Sequence, residues 1–171
     1  MQYNYNGDGQ LESVLSAVGR FSTRSYDALG RVKAIMDGAA GTVNLAYAGS
    51  GELQEVSDQR GLTTRLLYDG LGNLKQLTSP DTGTSRYRYD SAGNMIEKTD
   101  ARGRVAAYTY DALNRLLSIH YAMSGKSVTI IYDNWVLFGR PVCGVCNGLA
   151  SMRIDDSGHT IFDYSIRGEI T

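Results

Sequence analysis

The chain is poor in the features that most quickly place a protein. Of its 171 residues only 2 are proline and 2 cysteine, the latter at Cys143 and Cys146. Two cysteines cannot build a disulfide scaffold, so burial of apolar and aromatic surface has to hold a chain of this length together. Excess charge is lacking too. The 17 Lys and Arg nearly cancel the 18 Asp and Glu, leaving a net charge of −1 and none of the basic footprint that nucleic-acid binding needs. No apolar run approaches the roughly 18 residues of a membrane span, and Met1-Gln2-Tyr3-Asn4-Tyr5-Asn6 lacks the basic and apolar regions of a signal peptide. Nor does any segment carry the apolar period of about 3.6 residues that marks a long helix. The abundant residues are glycine, at 20, and tyrosine, at 12, a profile of tight turns between tyrosine-bearing strands.

The tyrosines expose a repeat. Tyr5, Tyr26, Tyr47, Tyr68, Tyr89 and Tyr110 follow one another at intervals of 21 residues, and Tyr132 comes after 22. The pattern around them is clearest in Tyr26-Asp27-Ala28-Leu29-Gly30-Arg31-Val32, Tyr68-Asp69-Gly70-Leu71-Gly72-Asn73-Leu74, Tyr89-Asp90-Ser91-Ala92-Gly93-Asn94-Met95 and Tyr110-Asp111-Ala112-Leu113-Asn114-Arg115-Leu116. Its mechanical meaning is strand end, turn, strand start. Asp suits the first place of a type I turn, where its carboxylate accepts backbone N–H groups, and Gly three residues on supplies the left-handed residue that closes the hairpin. Where glycine is missing stands Asn114, the side chain that most readily accepts positive φ.

Half a repeat later a second turn signal recurs, in Asp37-Gly38-Ala39-Ala40-Gly41, Asp58-Gln59-Arg60-Gly61, Pro80-Asp81-Thr82-Gly83, Asp100-Ala101-Arg102-Gly103 and Asp155-Asp156-Ser157-Gly158. Turns every 10 or 11 residues leave strands of about six. Apolar residues fall at fixed places between them. Two residues before each tyrosine lie Tyr3, Leu45, Leu66, Tyr87, Tyr108, Ile130 and Phe162, with Arg24 the exception; six after it lie Leu11, Val32, Leu53, Leu74, Met95 and Leu116; a further set, Val14, Ile35, Val56, Leu77 and Ile119, is interrupted by Lys98. Equivalent residues are expected to stack as ladders on one buried face. The expected fold is all-β: an antiparallel sheet with two strands per 21-residue repeat, spiralling as a solenoid or partial shell.

Tyr-Asp-x-x-Gly-Arg/Asn-Leu/Val at this period resembles the YD repeats of the Rhs (rearrangement hot spot) proteins, relatives of the C components of insecticidal Tc toxin complexes and of the teneurins. The resemblance runs through residues 1–133 and returns in 161–171, where Tyr164-Ser165-Ile166-Arg167-Gly168-Glu169-Ile170 is a degenerate copy. It implies a spiralling sheet that closes into a hollow shell and, in bacterial toxins, encloses a variable C-terminal toxic domain until delivery through a secretion apparatus. The partners so implied are the remainder of the shell and the enclosed toxin. Such shells need many more repeats, and the segment in which those proteins cleave themselves has no counterpart here, so no protease residue carries over. The expectation is a non-enzymatic fragment of a longer polypeptide, without a cofactor, whose uncapped edges favour edge-to-edge self-association. Its repeat motif rests on Tyr26, Asp27, Gly30, Tyr68, Asp69, Gly72, Tyr89, Asp90, Gly93, Tyr110, Asp111 and Asn114.

Three segments are expected: YD repeats over 1–133, an irregular insertion over 134–154, and a degenerate, truncated repeat over 155–171. The insertion holds Trp135 and a CxxC spacing, Cys143 to Cys146, which fits dithiol redox chemistry or half a zinc site. Only His120 and His159 could complete a zinc set, and neither stands at a finger's spacing, so these read as free or casually oxidised thiols. The same two histidines have no nucleophile elbow with which to form a Ser–His–Asp arrangement. The aspartates lack the Gly-Gly-x-Gly-x-Asp pattern of calcium-binding repeats and are explained by turns. The alternative function is a carbohydrate-binding or adhesion module, because tyrosine ladders on an exposed face can stack on sugar rings. Choline- and glucan-binding solenoids are similar in period but lean on tryptophan, of which this chain has one.

Overall fold

The computed structural model describes residues 1–38, 41–133, 136–137, 140–141 and 149–162. The chain divides into two compact units, residues 1–85 and 86–171. The first holds Gln2–Tyr5 (β1), Leu11–Leu15 (β2), Phe21–Tyr26 (β3), Val32–Asp37 (β4), Gly41–Tyr47 (β5), Leu53–Ser57 (β6), Thr63–Tyr68 (β7) and Leu74–Ser79 (β8). Gly83–Tyr89 (β9) runs from the first unit into the second, which continues with Met95–Thr99 (β10), Val105–Tyr110 (β11), Leu116–Tyr121 (β12), Lys126–Tyr132 (β13), Val136–Leu137 (β14), Arg140–Pro141 (β15), Ala150–Asp155 (β16) and Gly158–Ile161 (β17). The fold is all-β, and the described residues contain no helix. In the open 15-stranded sheet the strand order is the chain order, β1 to β13 and then β16 and β17, while β14 and β15 pair with each other.

Such a meander follows from turns that each reverse the chain within a few residues, so a strand can only pair with its sequence neighbours. The register then gathers the apolar positions. In the first unit Tyr3 stands opposite Val14, Arg24 opposite Ile35, Leu45 opposite Val56 and Leu66 opposite Leu77. In the second, Tyr87 stands opposite Lys98 and Tyr108 opposite Ile119. Directly opposed residues share a face, so each unit carries an apolar ladder.

The ladder is half-buried rather than buried. Among the described residues only Ala106 and Met152, with Ser13 on the polar side, are fully buried. A single sheet layer shields its apolar face only with neighbouring side chains, so its stability rests on many partial burials and on backbone pairing rather than on a sealed core.

Each tyrosine also marks a β-bulge. Tyr26 pairs with Val32 while Ser25 pairs with Ala34, leaving Lys33 extra; Tyr68 pairs with Leu74 while Leu67 pairs with Gln76, leaving Lys75 extra. The same shift occurs at Tyr5, Tyr47, Tyr89, Tyr110 and Tyr132. The bulge explains a spacing that a flat strand does not allow. Leu74 and Leu77 lie three apart and would face opposite ways in a regular strand, but one extra residue returns both to the apolar face.

Candidate functional site

The repeating structural unit is built at the turn that follows each tyrosine. In the second hairpin of this kind, Asp27 Oδ1 accepts the backbone N–H groups of Leu29 and Arg31, both at 2.9 Å, and its Oδ2 receives Arg31 Nε at 2.7 Å. The turn closes with the Gly30 N–H donating to the Asp27 carbonyl at 3.0 Å. Asp69, Asp90 and Asp111 repeat the pattern, with the side chains of Asn73, Asn94 and Arg115 as the donors to Oδ2. The residue closing each turn is left-handed: Gly30 has φ 76°, Gly72 83°, Gly93 85° and Asn114 60°. At Asn114 the one side chain present at this place tolerates that backbone.

The residue five positions after the tyrosine is thus a working member of the unit, and the sequence reading missed its role. Its signal was present: in the turns that begin with Asp27, Asp69, Asp90 and Asp111 this place holds Arg or Asn, both N–H donors. Where the turn begins with Asn6, the place holds Gln10, and Asn6 Nδ2 donates to Gln10 Oε1 at 2.9 Å. Where it begins with Ala48, the place holds Glu52, whose carboxyl is held below its ordinary value first by the Ser50 hydroxyl.

The tyrosines fasten one repeat to the previous one. The hydroxyls of Tyr26, Tyr47 and Tyr110 donate to the carbonyls of Leu11, Val32 and Met95, 15 residues back in each case, at 2.7, 2.9 and 2.9 Å. Arg31 adds a second tie, since its guanidinium lies over the ring of Tyr47 at 4.4 Å from the centroid while it holds Asp27. Arg115 does the same over Tyr132 at 4.4 Å and also reaches Asp133. One arginine therefore joins a turn carboxylate to the next repeat's aromatic ring.

The carboxylates respond to these donors. Asp27 and Asp111 are held below the ordinary aspartate value chiefly by the backbone N–H groups of Arg31 and Arg115, and Asp69 and Asp90 chiefly by the Asn73 and Asn94 side chains. Asp58 and Asp100, in the half-repeat turns, are lowered as well, Asp58 first by the Arg60 side chain and Asp100 first by the Arg104 backbone. Every one of these groups is spent on local turn geometry.

A family model, the RHS repeat, matches residues 5–43, 47–84, 68–105 and 89–122. The chain belongs to the RHS repeat family. Solved structures share the fold: TcdB2-TccC3-TEV at 16% identity over 97% of this chain (TM-score 0.73), TcdB2-TccC3 without its hypervariable C-terminal region at 16% over 99% (0.72), and the Photorhabdus luminescens Tc holotoxin pore at 15% over 99% (0.69). In each the match spans 10% of that chain, so the RHS repeats described here correspond to about a tenth of its length. No curated protein matches the chain.

The other candidates lie away from this unit. His120 sits exposed on β12 opposite Ala107 and Ser127, and His159 sits exposed on β17 opposite Ile154. Among the described residues no three His, Cys, Asp or Glu side chains are grouped to hold a metal ion. Cys143, Cys146, Trp135 and Tyr164 fall outside the described residues. Within the segment read as an insertion, β16 pairs antiparallel with β13, Ile130 facing Arg153 and Ile131 facing Met152, with the bulge at Tyr132.

Proposed function

We propose that the chain is a stretch of wall in an Rhs-type toxin shell, formed by the repeats of residues 1–133 with the degenerate copy in 155–171, and that it helps enclose a C-terminal toxin polypeptide for delivery outside the producing cell. The wall acts by containment and performs no catalysis. One observation carries this reading: the repeats add their strands in chain order, and the hydroxyls of Tyr26, Tyr47 and Tyr110 tie their repeats to the carbonyl 15 residues back. A unit that propagates itself in this way extends a surface and uses its polar groups to do so. Membership of the RHS repeat family and the fold shared with TccC3-containing structures support it.

The glycan alternative needs free aromatic faces. The rings of Tyr47 and Tyr132 are covered by guanidinium groups, and the hydroxyls of Tyr26, Tyr47 and Tyr110 are committed to backbone carbonyls, which leaves these four tyrosines poorly placed to stack on sugars. The decisive experiment is limited proteolysis of the polypeptide encoded by the complete reading frame that contains this segment. The shell reading expects a C-terminal portion resistant to protease in the native state and cut rapidly once the repeats are unfolded. Equal cleavage in both states would refute it, as would a reading frame with nothing beyond the repeats.

A further inference from the structure

In a repeat protein the other copies define what each place ordinarily holds, so departures can be read within one chain. Two of them meet in the second unit. Lys98 stands where other repeats carry Val14, Ile35, Val56, Leu77 and Ile119, and Tyr121 stands where they carry Ser16, Asp37, Asp58, Ser79 and Asp100. The turn after Tyr121 is also where the repeat interval lengthens to 22, and its loop closes with the Gly125 N–H on the Tyr121 carbonyl at 3.0 Å.

Register brings these departures into one row. Tyr87 faces Lys98, Lys98 faces Ala106, Ala106 faces Tyr121 and Tyr121 faces Lys126 across five successive strands. Ala106, only 9% exposed, forms a low floor between taller neighbours. Above it lies a concavity of about 490 Å³ walled by Tyr108 and Tyr121 and bordered by Lys98 and Lys126. Burial raises the Tyr108 hydroxyl above its usual value, and Tyr121, Tyr110 and Tyr87 add to the effect.

The charges around it are unbalanced. Arg104 and Asp100 satisfy each other at 2.6 Å. Lys126 has only a loose, exposed pairing with Asp156 at 3.5 Å, an interaction worth little in water. The Lys98 ammonium lies 5.9 Å from the Tyr87 ring centroid and has no carboxylate partner among the described residues. Replacing a ladder hydrophobe by a half-buried cation costs stability, and the distant contact with the Tyr87 ring repays only part of it.

We propose that this row is a binding groove for an extended acidic polypeptide segment with a carboxylate, an apolar side chain and a second carboxylate at alternate positions. The geometry fixes the spacing. Lys98 and Lys126 are three strand steps apart, about 14 Å at about 4.8 Å per step, and an extended peptide advances about 13 Å over four residues. Residues i, i+2 and i+4 of such a peptide project to one side, which places carboxylates over the two lysines and the apolar side chain over Ala106 between the tyrosines. The inference rests on the shell reading in one respect, that the partner is a polypeptide.

The test is a fluorescence-anisotropy titration of a labelled peptide centred on Glu-Gly-Leu-Gly-Glu with the full 171-residue chain. Saturable binding is expected, weakened about tenfold by replacing both Glu with Gln, and severalfold by raising salt from about 50 to about 300 mM. Lys98→Leu and Tyr121→Asp restore what other repeats carry at those places, so each should keep or raise the thermal midpoint while weakening the peptide about tenfold. Binding indifferent to Lys98→Leu, no saturable binding, or displacement by an acidic oligosaccharide that binds more tightly than the peptide would each overturn the groove. The two readings fail separately. Peptide binding without a protected C-terminal portion retires the shell and keeps the groove, whereas protection without peptide binding does the reverse.

Discussion

Leu66 and Leu77 in the first unit hold the same two places in the repeat as Tyr87 and Lys98 in the second, one period later, and each pair stands directly opposed across its strands. One pair is aliphatic; the other sets an ammonium near an aromatic ring. The backbone register is nevertheless the same. What sets register is therefore not the ladder pair but the parts both repeats share, namely the aspartate-capped turn, the left-handed residue closing it and the bulge at the tyrosine. With register secured there, the ladder is free to vary chemically, and the groove proposed on the second unit uses that freedom.

The strongest test of this division of labour removes residues. Deleting 69–89, one whole period, should leave a protein that unfolds cooperatively with a midpoint close to the parent's, because the ladders realign. Deleting ten residues from the same place reverses strand direction and should abolish the cooperative transition. Equal damage in thermal unfolding would show that register is not carried by the period. A smaller break targets the turn. Gly72 has φ 83°, and a Cβ there would meet only Glu52 Oε1, in ordinary contact at 3.9 Å, so Gly72→Val should cost about 2 kcal/mol in urea unfolding, chiefly through backbone strain. The control, Asn114→Gly, should stay within about 0.5 kcal/mol of the parent, since either residue accepts the left-handed backbone.

Exchanging the two ladder chemistries should do less. Leu77→Lys brings the charge of the second pair into the first and should cost about 1 kcal/mol, the share of a leucine that is only half buried. Arg24→Leu runs the other way. Its Nη1 is buried without a hydrogen-bond partner among the described residues, and removing it should gain about 1 kcal/mol. A loss of stability in Arg24→Leu would show that the guanidinium has a structural task. The smallest effect per residue is expected from acid. Asp27, Asp58, Asp69, Asp90, Asp100 and Asp111 are all held below their ordinary value of 3.8. Their contribution is thus complete above that value and is lost as pH falls through the lowered ones. The thermal midpoint should hold steady above about pH 5 and decline between about pH 4 and pH 2; a midpoint flat through that acid range would mean the turn carboxylates contribute nothing.

Much of this was legible in the residues. The 21-residue interval, the Asp-x-x-Gly turns and the alternating apolar places determine an antiparallel meander, because each turn is a local event whose geometry depends on four or five residues in a row. Even the bulge left a mark in the three-residue separation of Leu74 and Leu77, although only the pairing at Tyr68 made it readable. Other features were settled by tertiary structure, since they join residues that no local rule connects. The tyrosine hydroxyls reach carbonyls 15 residues away, Arg31 bridges Asp27 and the Tyr47 ring, and Lys98, Ala106, Tyr121 and Lys126 become one row only when four strands lie side by side. The depth of burial belongs to the same class. Apolar periodicity shows which face is turned away from water, but how far each side chain is shielded depends on what packs over it, and in this sheet the ladder is half covered.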